Sequence, residues 1–152
     1  MSRQASKDTG VELAVRRLLH ADGMRYRVEY PVPGMPRRRI DVAFPRAKVA
    51  VLIDGCFWHG CPLHATRPKA NAEWWRIKLE RNIARDRETT EHLAAQGWTV
   101  LRFWEHTRPE EVAHTVRATV ERRRRELRES TALRREAGEN GRRTSRGGKT
   151  VD

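Results

Sequence analysis

Val49-Ala50-Val51-Leu52-Ile53 runs straight into Asp54-Gly55-Cys56-Phe57-Trp58-His59-Gly60-Cys61-Pro62-Leu63-His64. The first five residues are a short continuous apolar run, the pattern of a buried strand. The next eleven hold both cysteines, two of the six histidines, an aromatic pair and an acid. Metal-ligand types, a candidate base and two candidate stacking rings therefore leave the end of one strand together. Functional residues gather on loops held by a rigid scaffold, and this segment has that character.

Working outward, Arg39 to Phe44 has the composition of a preceding strand, and Lys48 to Ile53 forms the strand quoted above. Pro31 to Pro36 is rich in proline and glycine and marks a loop. Tyr26, Val28 and Tyr30 alternate with polar residues, the period of an earlier strand. Thr9 and Glu12 have capping-box spacing and start a first helix. Its apolar face comprises Val11, Leu13 (or Ala14), Leu18 and Leu19, and Gly23 closes the turn after it. Downstream, a long helix begins at Asn71 or Ala72 and lasts to about Gln96, with Gly97 as its stop. Thr99 to Trp104 is a fourth strand. A last helix starts near Pro109, with Glu110 and Glu111 favourably placed in its first turn. From Ser130 the chain is polar and glycine-bearing, the composition of disorder. The order α-β-β-β-α-β-α predicts an α/β fold, a small mixed β-sheet flanked by helices. We expect a flexible 1–8, one domain over 9–128 and a basic, disordered 129–152.

A chain of 152 residues suits one hydrophobic core. The net charge is +12, from 32 basic and 20 acidic residues. Arg117 to Asp152 holds twelve basic and six acidic residues, so the tail and the preceding 116 residues carry +6 each. The excess is shared by the folded part, which predicts a polyanion partner, nucleic acid foremost. An arginine-rich proteome is the bland alternative. No run of about 18 apolar residues marks a membrane span, and no apolar stretch near Met1 marks a secretory signal. A cytoplasmic location is expected, where two cysteines five apart suit a metal better than a disulfide.

Three constellations carry chemistry. Asp41 interrupts a strand whose Ile40, Val42 and Phe44 share one face. A carboxylate there is costly to bury unless paired or metal-bound, or else it faces solvent at an edge. Asp54 ends the next strand, so two acids on neighbouring strands suit Mg²⁺. His59 follows as a candidate base, with a zinc ligand or exposed loop histidine as alternatives. Cys56, Cys61 and His64 could hold zinc with a remote fourth ligand, His106, although His92 and His114 also exist and two buried thiols are the plain alternative. Phe57, Trp58 and Trp75 are stacking or core rings. On the long helix, Trp75, Leu79, Asn82 and Asp86 form one stripe. Asp86 could orient His59, or pair with Arg87 or Arg81.

Ile53 to Trp58, Glu73-Trp74-Trp75, Asn82-Ile83-Ala84-Arg85-Asp86-Arg87, and Gly97-Trp98 to Trp104-Glu105 together resemble the very short patch repair (Vsr) DNA mismatch endonuclease family. The resemblance spans about Thr9 to His106. It implies a restriction-endonuclease-like (PD-(D/E)XK-type) fold with a structural zinc site. It also implies Mg-dependent nicking of one strand 5′ of the T in a T:G mismatch, left by deamination of 5-methylcytosine. By the same resemblance Asp41 binds Mg²⁺, Ile53 contributes its backbone, His59 is catalytic, Glu12 lies near the site and Asp86 supports a histidine. Phe57, Trp58 and Trp75 intercalate beside the mismatch. Cys56, Cys61, His64 and His106 fall on the zinc site. Asp54 stands where the family has a second histidine, which makes it a candidate metal ligand. The implied enzyme is a monomer at the nucleoid acting on mismatched duplex DNA, with mismatch-repair proteins as candidate partners. Two alternatives stay open: a restriction-like nuclease on unmispaired or modified DNA, and a non-catalytic zinc-bearing DNA-binding module.

Overall fold

The computed structural model describes residues 10–55 and 71–146, with only the backbone of 142–146. The elements in chain order are α1 (Gly10–Ala21), β1 (Arg27–Val32), β2 (Met35–Phe44), β3 (Val49–Asp54), α2 (Ala72–Ala95), β4 (Thr99–Trp104) and α3 (Pro109–Arg146). The strands form one sheet in the order β1-β2-β3-β4. The first three are antiparallel neighbours, and β4 runs parallel to β3. A parallel neighbour needs a long crossover, and α2 lies within it. This mixed α/β architecture fits a restriction-endonuclease-like fold.

The sheet is covered on both faces. On one, Val42, Phe44, Val49 and Val51 pack with Val15 and Leu19 of α1 and Val112, Val116 and Val120 of α3. On the other, Ile40, Ala43 and Ala50 pack with Leu93 of α2 and with Trp98. A strand sandwiched this way is apolar throughout, which explains why the 49–53 run carries no alternation. Only the C-terminal part of α2 is buried, at Thr89 and Leu93. Its N-terminal turns stand in solvent, where Trp74 is 54% exposed.

Four expectations need correction. The inward residues of α1 are Glu12, Val15 and Leu19, and Leu13 points outward. Positions 11, 15 and 18 or 19 keep the helical repeat, and residue 13 lies off that stripe. The 31–36 loop shrinks to Pro33-Gly34, because β1 extends to Val32 and β2 starts at Met35. Gly34 has φ +86, as the third residue of a Pro-Gly type II turn requires. Ile40 does not share a face with Val42 and Phe44 but joins the α2 side. The strand changes face at Asp41, opposite the stretch where Glu29 adopts φ +48. Finally, α3 continues as helix to Arg146 instead of losing structure near residue 129. Beyond Val120 none of its described side chains is buried, so local propensity, pairs such as Arg123–Glu126 and the Arg123 hydrogen bond to the Gly97 carbonyl hold it.

Candidate active site

The face change at Asp41 creates the site. The β2–β3 ladder pairs Val42 with Val51, Ala43 with Ala50 and Phe44 with Val49, then stops. Where the next backbone acceptor would stand, the Asp41 carboxylate stands instead. The Ile53 N–H donates to its Oδ2 at 2.8 Å. β3 meanwhile stays paired with β4 through Ile53–Phe103 and Asp54–Trp104. The two strands therefore part beyond Asp41. A cavity of about 260 Å³ opens there, lined by Arg37, Arg38, Arg39, Asp41, Leu52, Ile53, Asp54, Arg85, Asp86, Thr89 and Arg102.

Burial pushes the Asp41 carboxyl up to about 6 from an ordinary 3.8. The Ile53 hydrogen bond opposes this, the nearby Asp54 charge adds to it, and the Arg102 charge opposes it. A carboxylate held charged at such cost is a candidate for binding a cation.

Asp54 is not a free second acid. Arg102 on β4 donates from Nη1 to both of its oxygens, at 3.0 and 3.1 Å. The same guanidinium reaches Thr90 Oγ1 through Nε at 2.8 Å and the Asp86 carbonyl through Nη2 at 2.9 Å. It thereby ties the ends of β3 and β4 to α2. Asp86 sends its own carboxylate to the same place, with Oδ1 4.0 Å from Arg102 Nη1. Arg38 forms a comparable tie, donating to Thr89 Oγ1 at 3.0 Å and Glu88 Oε2 at 3.1 Å.

Of the residues anticipated from sequence, Asp41, Ile53, Asp54 and Asp86 share this cavity. Glu12 is buried and engaged on α1, but it is not among the cavity's lining residues. Trp75 stands at the start of α2 with its ring edge-on to Trp74, centroids 4.8 Å apart. His106 lies exposed in the turn after β4. His92, an alternative zinc ligand by sequence, donates from Nε2 to the Pro33 carbonyl at 2.6 Å and serves the hairpin. Cys56, Phe57, Trp58, His59, Cys61 and His64 lie outside the described residues. Among the described residues, no group of three or more His, Cys, Asp or Glu side chains is arranged to hold a metal. Arg38 and Arg102 escaped the sequence reading. A basic residue in a strand looks like an ordinary solvated side chain, although Arg102 interrupting Thr99–Trp104 was the available signal.

A model of the DNA mismatch endonuclease Vsr family matches residues 1–64, which include Asp41, Ile53 and Asp54. The chain is 42% identical over 123 residues to the type II nicking enzyme V.NaeI of Lentzea aerocolonigenes, covering 78% of this chain and 72% of that one. The chain belongs to the Vsr DNA mismatch endonuclease family. Other Vsr-like relatives include the type II nicking enzyme V.NmeDIP of Neisseria meningitidis serogroup C, 44% identical over 107 residues, with 68% and 70% of the two chains covered. The DNA mismatch endonuclease Vsr of Escherichia coli K12 is 34% identical over 104 residues, 66% of this chain and 64% of that one. This Vsr-family chain is thus a DNA endonuclease, and the expected nucleic-acid partner is DNA. Among the described residues, no helix is long and apolar enough to cross a membrane.

Proposed function

We propose that this Vsr-like endonuclease nicks one strand of duplex DNA 5′ of the T in a T:G mismatch left by deamination of 5-methylcytosine. The observation that carries the reading is the Asp41 carboxylate, spending its Oδ2 on the Ile53 N–H at the mouth of the parted strands. An oxygen-donor set suits Mg²⁺. Asp54 aims its carbonyl at β4, where the Glu105 N–H donates to it at 3.0 Å. Alternation along β3 therefore turns the Ile53 carbonyl towards β2, on the side of Asp41. Asp41 and the Ile53 carbonyl would hold the ion. When bound, it would polarise the phosphodiester and steady the leaving oxygen.

The chain's own groups supply the rest. His59 takes the proton of the attacking water. Asp86 faces the same cavity and orients that histidine. Asp54, neutralised by Arg102, shapes the site electrostatically and is a secondary candidate for the metal. Phe57, Trp58 and Trp75 wedge into the stack at the mismatch, where unstacking costs least. Glu12 supports the site from α1.

For zinc, the donor set Cys56, Cys61, His64 and His106 has the mixed sulfur and nitrogen character that tetrahedral zinc takes. The register supports it. Asp54 and Trp104 are paired at the ends of two parallel strands, and in the sequence Cys56 and His106 each follow two residues later. Zinc there would staple the loop to the end of β4.

The test is strand-specific nicking with Mg²⁺ on a T:G duplex and its paired counterpart, in several cytosine contexts, with Asp41→Ala alongside. Cutting 5′ of the mispaired T, lost in the variant, is the expected result. Equal cutting of paired duplex would replace this reading with a restriction-like nuclease. Tight binding without cutting in every context would replace it with a non-catalytic module.

A further inference from the structure

Five arginines line the cavity, and they are not equivalent. Arg102 is consumed by Asp54, Thr90 and the Asp86 carbonyl. Arg38 is consumed by Thr89 and Glu88. Arg39 reaches the Glu29 carbonyl at 3.4 Å. Arg37 and Arg85 are exposed and have no protein partner among the described residues. One projects from β2 and the other from α2, and both line the cavity that holds Asp41. A second cavity of about 460 Å³ adjoins it and is also lined by Arg37, Arg38 and Arg85. The two hollows form a groove that leads outward from Asp41 and is flanked by unspent guanidinium groups.

Such a pair has a chemical preference. Guanidinium forks match phosphate oxygens in bidentate geometry, and groups with no internal partner lose no hydrogen bond on engaging one. The carboxylates of the inner cavity repel an anion, and Asp54 and Asp86 face the cation Arg102. The outer hollow has a single acid, Glu88, already held by Arg38.

We propose that Arg37 and Arg85 are the two jaws of a backbone-phosphate clamp, holding a phosphodiester of the DNA strand that runs through the groove to Asp41. The proposal rests on the nuclease reading for its ligand but concerns binding, so the two can fail separately. The clamp reads no base. It fixes the strand's path so that the scissile bond lies over Asp41.

The experiment is equilibrium binding of a fluorescein-labelled T:G duplex and its paired counterpart in EDTA, across a salt series, for wild type, Arg37→Gln, Arg85→Gln and the double variant. Both residues are exposed, so the variants should keep their thermal midpoint. The slope of log Kd against log salt should flatten by about 1 for the double variant, which frees the clamped phosphate, and by less than that for each single variant. The loss should be equal on the two duplexes, and Arg→Lys at either position should retain the slope. An unchanged slope would overturn the clamp. So would a loss confined to the mismatched duplex, since that would make these arginines readers of the lesion. If the wild type binds with the predicted slopes but nicks nothing in Mg²⁺, the clamp stands and the nuclease reading falls.

Discussion

At the scale of single residues, Asp41 sets function against stability. Its folded-state pKa is raised to about 6 from 3.8. Between those values the folded chain keeps a proton that the unfolded chain has released. Stability from this group is therefore greatest in acid, falls as pH rises through that window, and stays flat above it. The lost stability approaches about 3 kcal/mol at most. Asp41→Asn retains an oxygen for the Ile53 N–H but carries no charge. The metal-free variant should be more stable than wild type at pH 7.5 by about 2 kcal/mol, and the difference should vanish below pH 4, while nicking is lost. Parallel urea titrations at the two pH values check this, and a variant less stable at neutral pH would contradict it. Arg102 makes the opposite case. Its removal leaves Asp54 without its cation, close to Asp41. Arg102→Met should cost about 3 kcal/mol, and Arg102→Lys should recover only part of that, because an ammonium cannot reach Asp54, Thr90 and the Asp86 carbonyl at once. Denaturant midpoints of the two variants would measure the gap.

Elements show which sequence signals were readable. The start of β4, the end of α2 and the start of α3 were legible because Gly97 and Pro109 punctuate the chain where the structure breaks it. β3 was legible because five apolar residues have nowhere to go but a strand buried on both faces. The β1–β2 hairpin was not, because three prolines within six residues suggest a loop. They are tolerated because β1 is an edge strand, and because β2 near Pro36 has no neighbour on its other side. The candidate site was half legible. Asp41 and Asp54 stood out as acids in apolar strands. The arginine ties did not, since Arg38 meets Thr89 and Arg102 meets Asp54 across about fifty residues of chain. The hairpin also explains how α2 is seated. Pro33 offers its carbonyl to His92 and to Gln96 Nε2, the latter at 3.1 Å. Gly34 has φ +86, and a Cβ there would stand 3.0 Å from His92 Nε2. Gly34→Ala should therefore destabilise the fold by about 1–2 kcal/mol through the left-handed backbone alone, with more from the displaced His92. A loss larger than that of His92→Ala is expected in thermal melts, and equal losses would assign the whole effect to the contact.

For the whole molecule, the question is where the folded unit ends. The core on the α1 and α3 side closes with Val120, and among the described residues no later one is buried. Apart from Arg123, whose Nη2 donates to the Gly97 carbonyl at 3.3 Å, the outer turns of α3 gain helix propensity and exposed ion pairs, a few tenths of a kcal/mol each. Their helicity should respond to salt and temperature independently of the domain. Residues 129–152 also carry six basic and four acidic groups, a net of +2, so their removal leaves +10 of the +12. The basic field that draws DNA belongs mainly to the folded part. A chain ending at Arg128 should therefore melt within about 2 °C of the full chain, the scale of a near-neutral surface change. It should also keep its nicking pattern, with only a modest loss of affinity at low salt. Calorimetry and nicking assays on the two lengths decide the point. A large drop in melting temperature would mean that the outer helix packs against the domain, and a lost cut would make that helix part of the DNA-binding surface.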